Sequence, residues 1–385
     1  MPNSEQRILT THVGSLVRPT RLREYATRIE EGELVDQNEF DSYLRQAVAQ
    51  VVAEQTQVGI DVVSDGEYPH FYGWSTYVFS RLTGFVERDV TVAAGAGKDA
   101  RLFPEFYAEY FPSQNIRRRG VRHVTAPITY VGQDEIRKTI AMFKQALAQN
   151  SSATGFLTAV APCSAVPNFV NEHYASDEEA LFALADALHE EYKAVTDAGL
   201  ILQVDDAFIP YMWDVAFTER GIEDYRAWTQ VRIDALNHAL RGLPEQQLRY
   251  HICWGSFNTP HTTDVPAKEI IDLILQVNVG YYCLEMANPR HEHEWRIWEN
   301  VHLPPGRTLI PGVVSHATNI VEHPELVAER IERLARLVGR DNLMAGTDCG
   351  FAQSPFTRRV HPSIQWAKLR ALTEGAALAS KRLWS

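Results

Sequence analysis

Eight short apolar runs separated by longer segments of helical period constrain this chain more than any single motif. The runs cover residues 8–15, 59–67, 155–162, 200–207, 249–256, 280–288, 308–316 and 342–350. Between most of them lie amphipathic segments at 38–57, 134–148, 177–197, 222–241, 266–276 and 323–338, with a closing helix at 361–380. Short apolar runs alternating with long amphipathic ones are the pattern of a parallel α/β fold. Eight such units predict a (β/α)8 TIM barrel.

Length and composition allow this. A chain of 385 residues, 45% hydrophobic and 22% charged, can fill one large barrel, and the whole chain is expected to be one catalytic barrel domain. Residues 68–122 read as an insertion after the second strand that packs on the barrel, because the clusters HFYGW and FPEFYAEYF need burial. That insertion also holds the small-residue tract VAAGAG and the basic run Arg117, Arg118, Arg119, read as a solvated turn. The stretch HVTAPITYVG at 123–132 predicts one more extended element.

Each apolar run ends in polar or small residues, from His12 to Ser15 in the first to Asp348 and Cys349 in the last. Such residues also cap helices when taken singly, but their recurrence at nearly every strand end matches a barrel, whose active site is built at the C-terminal ends of its strands.

The formal net charge of -12 argues against nucleic acid or an anionic membrane as partner. No apolar stretch is long enough to span a bilayer and the start lacks a signal-peptide core, so a cytoplasmic protein is expected. Four cysteines, Cys163, Cys253, Cys283 and Cys349, are too few and too dispersed for a disulfide framework. The sequence leaves a homo-oligomer open.

In YHICWG, His251 and Cys253 stand two apart on a predicted strand and therefore share a face. Both residue types are also common in cores, so the pair needs partners. Glu285 and Cys349, at the ends of later strands, complete a His, Cys, Glu, Cys set of the kind zinc prefers. Cys283, two residues before Glu285, either competes with it or fills the barrel, and Cys163 reads as a buried small residue. Ligands on separate strands would put the Zn2+ at the barrel mouth, within reach of a substrate.

The motifs YHICWG, CLEMANPR, PGVVSH and GTDCG, with TTHVGSLVRP near the start and QVDDA in the middle, resemble the cobalamin-independent methionine synthase family, in particular its catalytic C-terminal barrel. The related epoxyalkane:coenzyme M transferases resemble it too. The resemblance runs over nearly the whole chain. It implies zinc ligation by His251, Cys253, Glu285 and Cys349, and a proton-donating or relaying His316. It further implies that Glu67 and Asp205 hold the amine of homocysteine and that Gly14 and Ser15 meet its carboxylate. Each has a plainer reading: His316 as a histidine bonded to a neighbouring carboxylate, Asp205 or Asp206 as a helix cap. His12 is expected to be a packed, hydrogen-bonded imidazole, PRHEHEW a loop entering a helix, and Trp254 a pocket wall or simply a buried ring.

The function expected is zinc-dependent transfer of a methyl or other alkyl group to a thiol, with homocysteine the favoured acceptor and small molecules the only partners. The alternative is epoxide opening by coenzyme M, whose sulfonate would need a cation such as Arg290 or Arg18. A zinc-containing protein without catalysis is the third reading. A full methionine synthase of the family carries a second, N-terminal barrel for which 385 residues leave no room, so the alkyl donor stays unassigned.

Overall fold

The computed structural model describes residues 4–88, 97–114, 120–150 and 153–385. Eleven strands lie among them: β1 (Leu9–Thr10), β2 (Val62–Ser64), β3 (Leu82–Arg88), β4 (Val121–Tyr130), β5 (Thr154–Val160), β6 (Phe169–Asn171), β7 (Ile201–Asp205), β8 (Leu248–Ile252), β9 (Tyr281–Leu284), β10 (Thr308–Val314) and β11 (Met344–Thr347). Eight of them form a parallel sheet in the order β1-β11-β10-β9-β8-β7-β5-β2. The bridge between Thr11 and Val62 brings the two ends of that sheet together, and the Thr11 hydroxyl donates to the Val62 carbonyl at 2.9 Å. The protein is a (β/α)8 barrel, as the alternation predicts.

Helix starts follow local chemistry. The Asp36 side chain accepts the backbone N–H groups of Asn38 and Glu39 ahead of helix Gln37–Gln57, and Ser176 accepts that of Glu179 ahead of helix Asp177–Asp197. The expected helix at 266–276 is instead a 3-10 turn, Ala267–Glu269, and one α turn, Ile271–Ile274. Ala267, Ile270, Ile271, Leu273 and Ile274 are all buried there, more positions than one helical face presents.

Leu9, Val62, Phe156, Ile201, Tyr281, Cys283, Ile310 and Met344 make an apolar cluster of their own, drawn from seven of the eight barrel strands. The eighth, β8, supplies Arg249, which is fully buried. Its guanidinium lies 4.1 Å from the Phe156 ring centroid and donates to the Thr11 hydroxyl and the His12 carbonyl at 3.1 and 3.0 Å. A buried cation cannot be read from strand periodicity, which marks Arg as an outward residue.

The elaboration after β2 carries the extended element expected at 123–132, as β4, but it is larger than expected. Strands β3 and β4 pair antiparallel, and β6, which follows β5 in the chain, adds to β4 in parallel. Helices Thr20–Glu30, Pro104–Ser113 and Phe208–Val215 are further elements the hydrophobic pattern does not reveal. Residues 92–96 of the VAAGAG tract and Arg117, Arg118 and Arg119 lie outside the described residues. Among the described residues, no helix is long and apolar enough to cross a membrane.

The small sheet is tied to the barrel by a buried network. Glu191 accepts from Arg81 at 2.9 Å and from the hydroxyls of Tyr77 and Tyr130 at 2.7 Å each, with Arg81 and Glu191 side chains 4% and 1% exposed. Removing one partner leaves the other charged and unpaired in a low dielectric. Glu191→Ala is therefore expected to lower unfolding free energy by about 3–5 kcal/mol, read as a reduced denaturant midpoint. A midpoint equal to wild type would show that the network contributes no net stability.

Candidate metal and substrate site

Strand β8 ends at Ile252, so His251 and Cys253 leave it on the same side, and Cys349 arrives just past the end of β11. Their ligand atoms all lie within 4.8 Å of one another, and all three residues are buried. The sulfurs of Cys253 and Cys349 are 3.6 Å apart, and both thiols are free. No protein group meets either ring nitrogen of His251 at hydrogen-bonding geometry. Burial, aided by the charge of Arg249, pushes that imidazole down to about 3, so it is neutral with a lone pair available. The Cys349 sulfur and burial push the Cys253 thiol up.

Glu285 stands beside this triad but outside it. Its carboxylate accepts the backbone N–H of Trp254 at 3.1 Å and the Asn288 amide at 3.0 Å. With His316 and Asp348 it forms a second buried cluster whose ligand atoms also lie within 4.8 Å. Both ring nitrogens of His316 and one oxygen of Asp348 lack partners, while the other oxygen accepts the N–H groups of Met286 and Ala287 at 2.9 and 2.7 Å. Gly312 makes room for this, since a Cβ there would lie 2.1 Å from the Asp348 carboxylate. Burial, then Arg359, pushes His316 down to about 3, and burial with the neighbouring Glu285 holds the Asp348 carboxyl well above the usual range.

A cavity of about 350 Å3 opens over the triad. Ser15, Glu67, Asp205 and Arg359 line it with His251, Cys253 and Cys349, and Trp74, Phe208, Tyr211 and Phe257 form aromatic walls. Burial, then the nearby Asp205, raises Glu67, and burial brings Asp205 up to about 8. One oxygen of Glu67 has no partner, and its backbone takes a left-handed φ of 58°, a strained state for a residue other than glycine. Gly14, at φ 130°, passes close by: a Cβ would meet Thr158 at 2.6 Å and the Glu67 carboxylate at 3.0 Å.

Neighbouring Asp205 and Asp206 divide. Asp206 is fully buried and accepts from Ser164 at 2.6 Å and Tyr250 at 3.0 Å, whereas Asp205 has one side-chain bond, to Gln203 at 2.8 Å. Neither caps the next helix, which starts behind Ala207. His12 is the packed imidazole expected, bonded to Gln55 at 2.7 Å. Cys283 fills the barrel, against Arg249 and Gln203, and Cys163 is buried. Trp254 is buried, donates to the Val265 carbonyl at 2.6 Å and stacks on His291. His291 itself is bonded to Asp264 and Glu294, and the segment Glu292–Glu299 is a 3-10 helix.

A sequence profile described as the catalytic domain of cobalamin-independent synthase matches residues 8–94 and 107–368. The chain belongs to the cobalamin-independent synthase family. It is 25% identical over 386 residues to a methionine synthase of Saccharolobus solfataricus, covering 97% of this chain and 95% of that one. It is 24% identical over 371 residues to the 2-hydroxypropyl-CoM lyase of Xanthobacter autotrophicus, covering 88% and 86%. The structure of a B12-independent methionine synthase from Shewanella sp. W3-18-1, in complex with selenomethionine, superposes with a TM-score of 0.72 at 21% identity over 98% and 99% of the two chains, a likeness of fold.

Three residues of this family member bear on the site without having been assigned a role from its sequence. Arg249 underlies His251, Asp348 neighbours His316, and Arg359 enters the cavity from the loop after β11. Asp348 was legible as a strand-end polar residue. Arg359 lies in a loop without periodicity, and only the third dimension brings it to the thiols.

Proposed function

We propose that this protein is a zinc-dependent transferase that moves a methyl or other alkyl group onto a thiol, with homocysteine as acceptor. The observation that carries the reading is a His251, Cys253, Cys349 triad opening into the same cavity as the buried carboxyl groups of Glu67 and Asp205. The donor set fits zinc: an unpartnered neutral imidazole and two thiols, three protein ligands with a position left for a substrate. Glu285 would join them only on releasing the Trp254 N–H.

When bound, zinc supplies a Lewis acid beside which a thiol ionises near neutral pH. Glu67 and Asp205 then hold the ammonium of the acceptor, whose positive charge relieves their mutual repulsion, and the Gly14–Ser15 backbone borders its carboxylate. Trp74, Phe208 and Tyr211 exclude water from the donor's reacting carbon. As the new C–S bond forms, His316, whose two ring nitrogens have no protein partner, passes a proton to the donor's leaving atom from one nitrogen while taking one up at the other.

Purified zinc-loaded protein is expected to bind homocysteine with release of about one proton and to yield alkylated thiol with a suitable donor, scored by mass spectrometry. Protein unable to take up metal would refute the reading. Cobalt-substituted protein should change its visible spectrum when homocysteine is added; an indifferent spectrum would mean a closed, structural site. The second reading, epoxide opening by coenzyme M, is favoured by the similarity to the 2-hydroxypropyl-CoM lyase and by the cation of Arg359 in the cavity. Thiol competition between homocysteine and coenzyme M separates the two.

A further inference from the structure

We propose that Arg359 reads the anionic group of the acceptor thiol, so that the site takes thiols carrying a carboxylate or sulfonate and disfavours those without one. This rests on the thiol-binding reading above and names the class of thiol it accepts.

Of the described residues lining the cavity, Arg359 is the only lysine or arginine. Its base is pinned beside the start of the barrel: its backbone N–H donates to the Phe351 carbonyl at 2.9 Å, and the Phe351 N–H donates to the Ser15 carbonyl at 2.8 Å. The guanidinium donates to the Gln114 side-chain carbonyl at 3.1 Å and the Ser256 hydroxyl at 3.2 Å and lies 4.8 Å from the Phe257 ring centroid. Both hydrogen-bond partners are neutral, and the buried Nε has none. A half-buried guanidinium held by neutral groups keeps its charge and is oriented, yet remains uncompensated until an anion arrives.

The other candidate cations do not line the cavity. Arg18 donates to the backbone carbonyls of Glu67 and His70, Arg249 to Thr11 and His12 inside the barrel, and Arg290 to the carbonyls of His261 and Thr262. The Ser15 hydroxyl, which the family resemblance assigns to the acceptor's carboxylate, donates to the Ala352 carbonyl. Arg359 lines the same cavity as Cys253 and Cys349. The cavity thus has a carboxylate pole at Glu67 and Asp205 and a guanidinium pole at Arg359. An amino-acid thiol satisfies both, and a sulfonate thiol satisfies the second.

The test is calorimetric titration of zinc-loaded wild-type and Arg359→Gln protein with homocysteine, 2-mercaptoethanesulfonate and 3-mercaptopropylamine. The substitution is expected to weaken the two anionic thiols about tenfold or more and leave the amine-only thiol unchanged, with zinc content equal to wild type. Arg359→Lys, keeping a point charge without the planar fork, should recover part of the loss. If Arg359→Gln loses zinc, Arg359→Lys carries the test through the same selective weakening. Parallel loss for all three thiols, or none for the anionic pair, would overturn the proposal while sparing thiol binding. Zinc-loaded wild-type protein that binds none of them would overturn the functional reading and this inference with it. Wild-type preference for homocysteine would assign a carboxylate, and preference for the sulfonate the other source.

Discussion

Cys253→Ser and Cys349→Ser are each expected to purify nearly free of zinc and to show no thiol alkylation. A serine hydroxyl remains protonated where a thiolate would bind, and the buried pocket of His251 and the surviving cysteine cannot complete a tetrahedral shell. Changes to residues that merely orient metal ligands already cost roughly 10–100-fold in affinity, so loss of a direct ligand should exceed about 100-fold. Far-ultraviolet circular dichroism should stay close to wild type, because the two side chains lie at strand ends, above the apolar cluster inside the barrel. Zinc retained at wild-type stoichiometry in both variants would remove the basis of the functional reading. Glu285→Gln tests the fourth position: metal loss comparable to the cysteine variants would make it a ligand, and retention would leave it as the group that holds the Trp254 N–H.

Asp205→Asn should stabilise the protein and damage it as a binder of homocysteine. The folded carboxyl sits at about 8, raised from an ordinary 3.8 by burial. Below 3.8 folded and unfolded chains both hold the proton. Between 3.8 and about 8 the unfolded chain releases a proton that the folded one keeps, so the unfolded state is progressively favoured, and the penalty is complete above about 8. Asparagine carries no such penalty. The variant's thermal midpoint should match wild type near pH 4 and exceed it by several degrees at pH 8. Homocysteine affinity of the zinc-loaded variant should fall roughly 10–100-fold, while 2-mercaptoethanesulfonate, which has no amine, should bind as before. A midpoint difference independent of pH would contradict the assigned burial cost, and unchanged homocysteine affinity would remove the amine subsite. Stability gained and binding lost together are the expected signature of a buried acid kept for a ligand.

The barrel was legible because its code is repetitive. Strands β1, β2, β7, β9, β10 and β11 fall inside the predicted runs, β5 and β8 begin one residue ahead of theirs, and helices such as Gln37–Gln57 and Asp177–Asp197 match their predicted spans to within a residue. Strand alternation likewise placed His251 and Cys253 on one side. Short-range chemistry could not resolve Asp205 from Asp206, because the choice depends on Ser164 and Tyr250 reaching one of them. It could not assign Glu285, whose oxygens are taken by the Trp254 backbone and the Asn288 amide. Strand β6 escaped because three residues pairing with a strand far earlier in the chain leave no periodic signature.

Taken alone, the order of residues determined the architecture and the candidate side chains at the strand ends, since hydrophobic period and strand-end polarity are local properties that any parallel barrel must display. Tertiary structure alone decided which of those side chains share a cavity, which carboxyls burial raises there, and which cations, Arg249 and Arg359, stand beside them. The reason is that proximity and local dielectric depend on groups brought together from distant parts of the chain, and no window along the sequence contains both sides of such a contact.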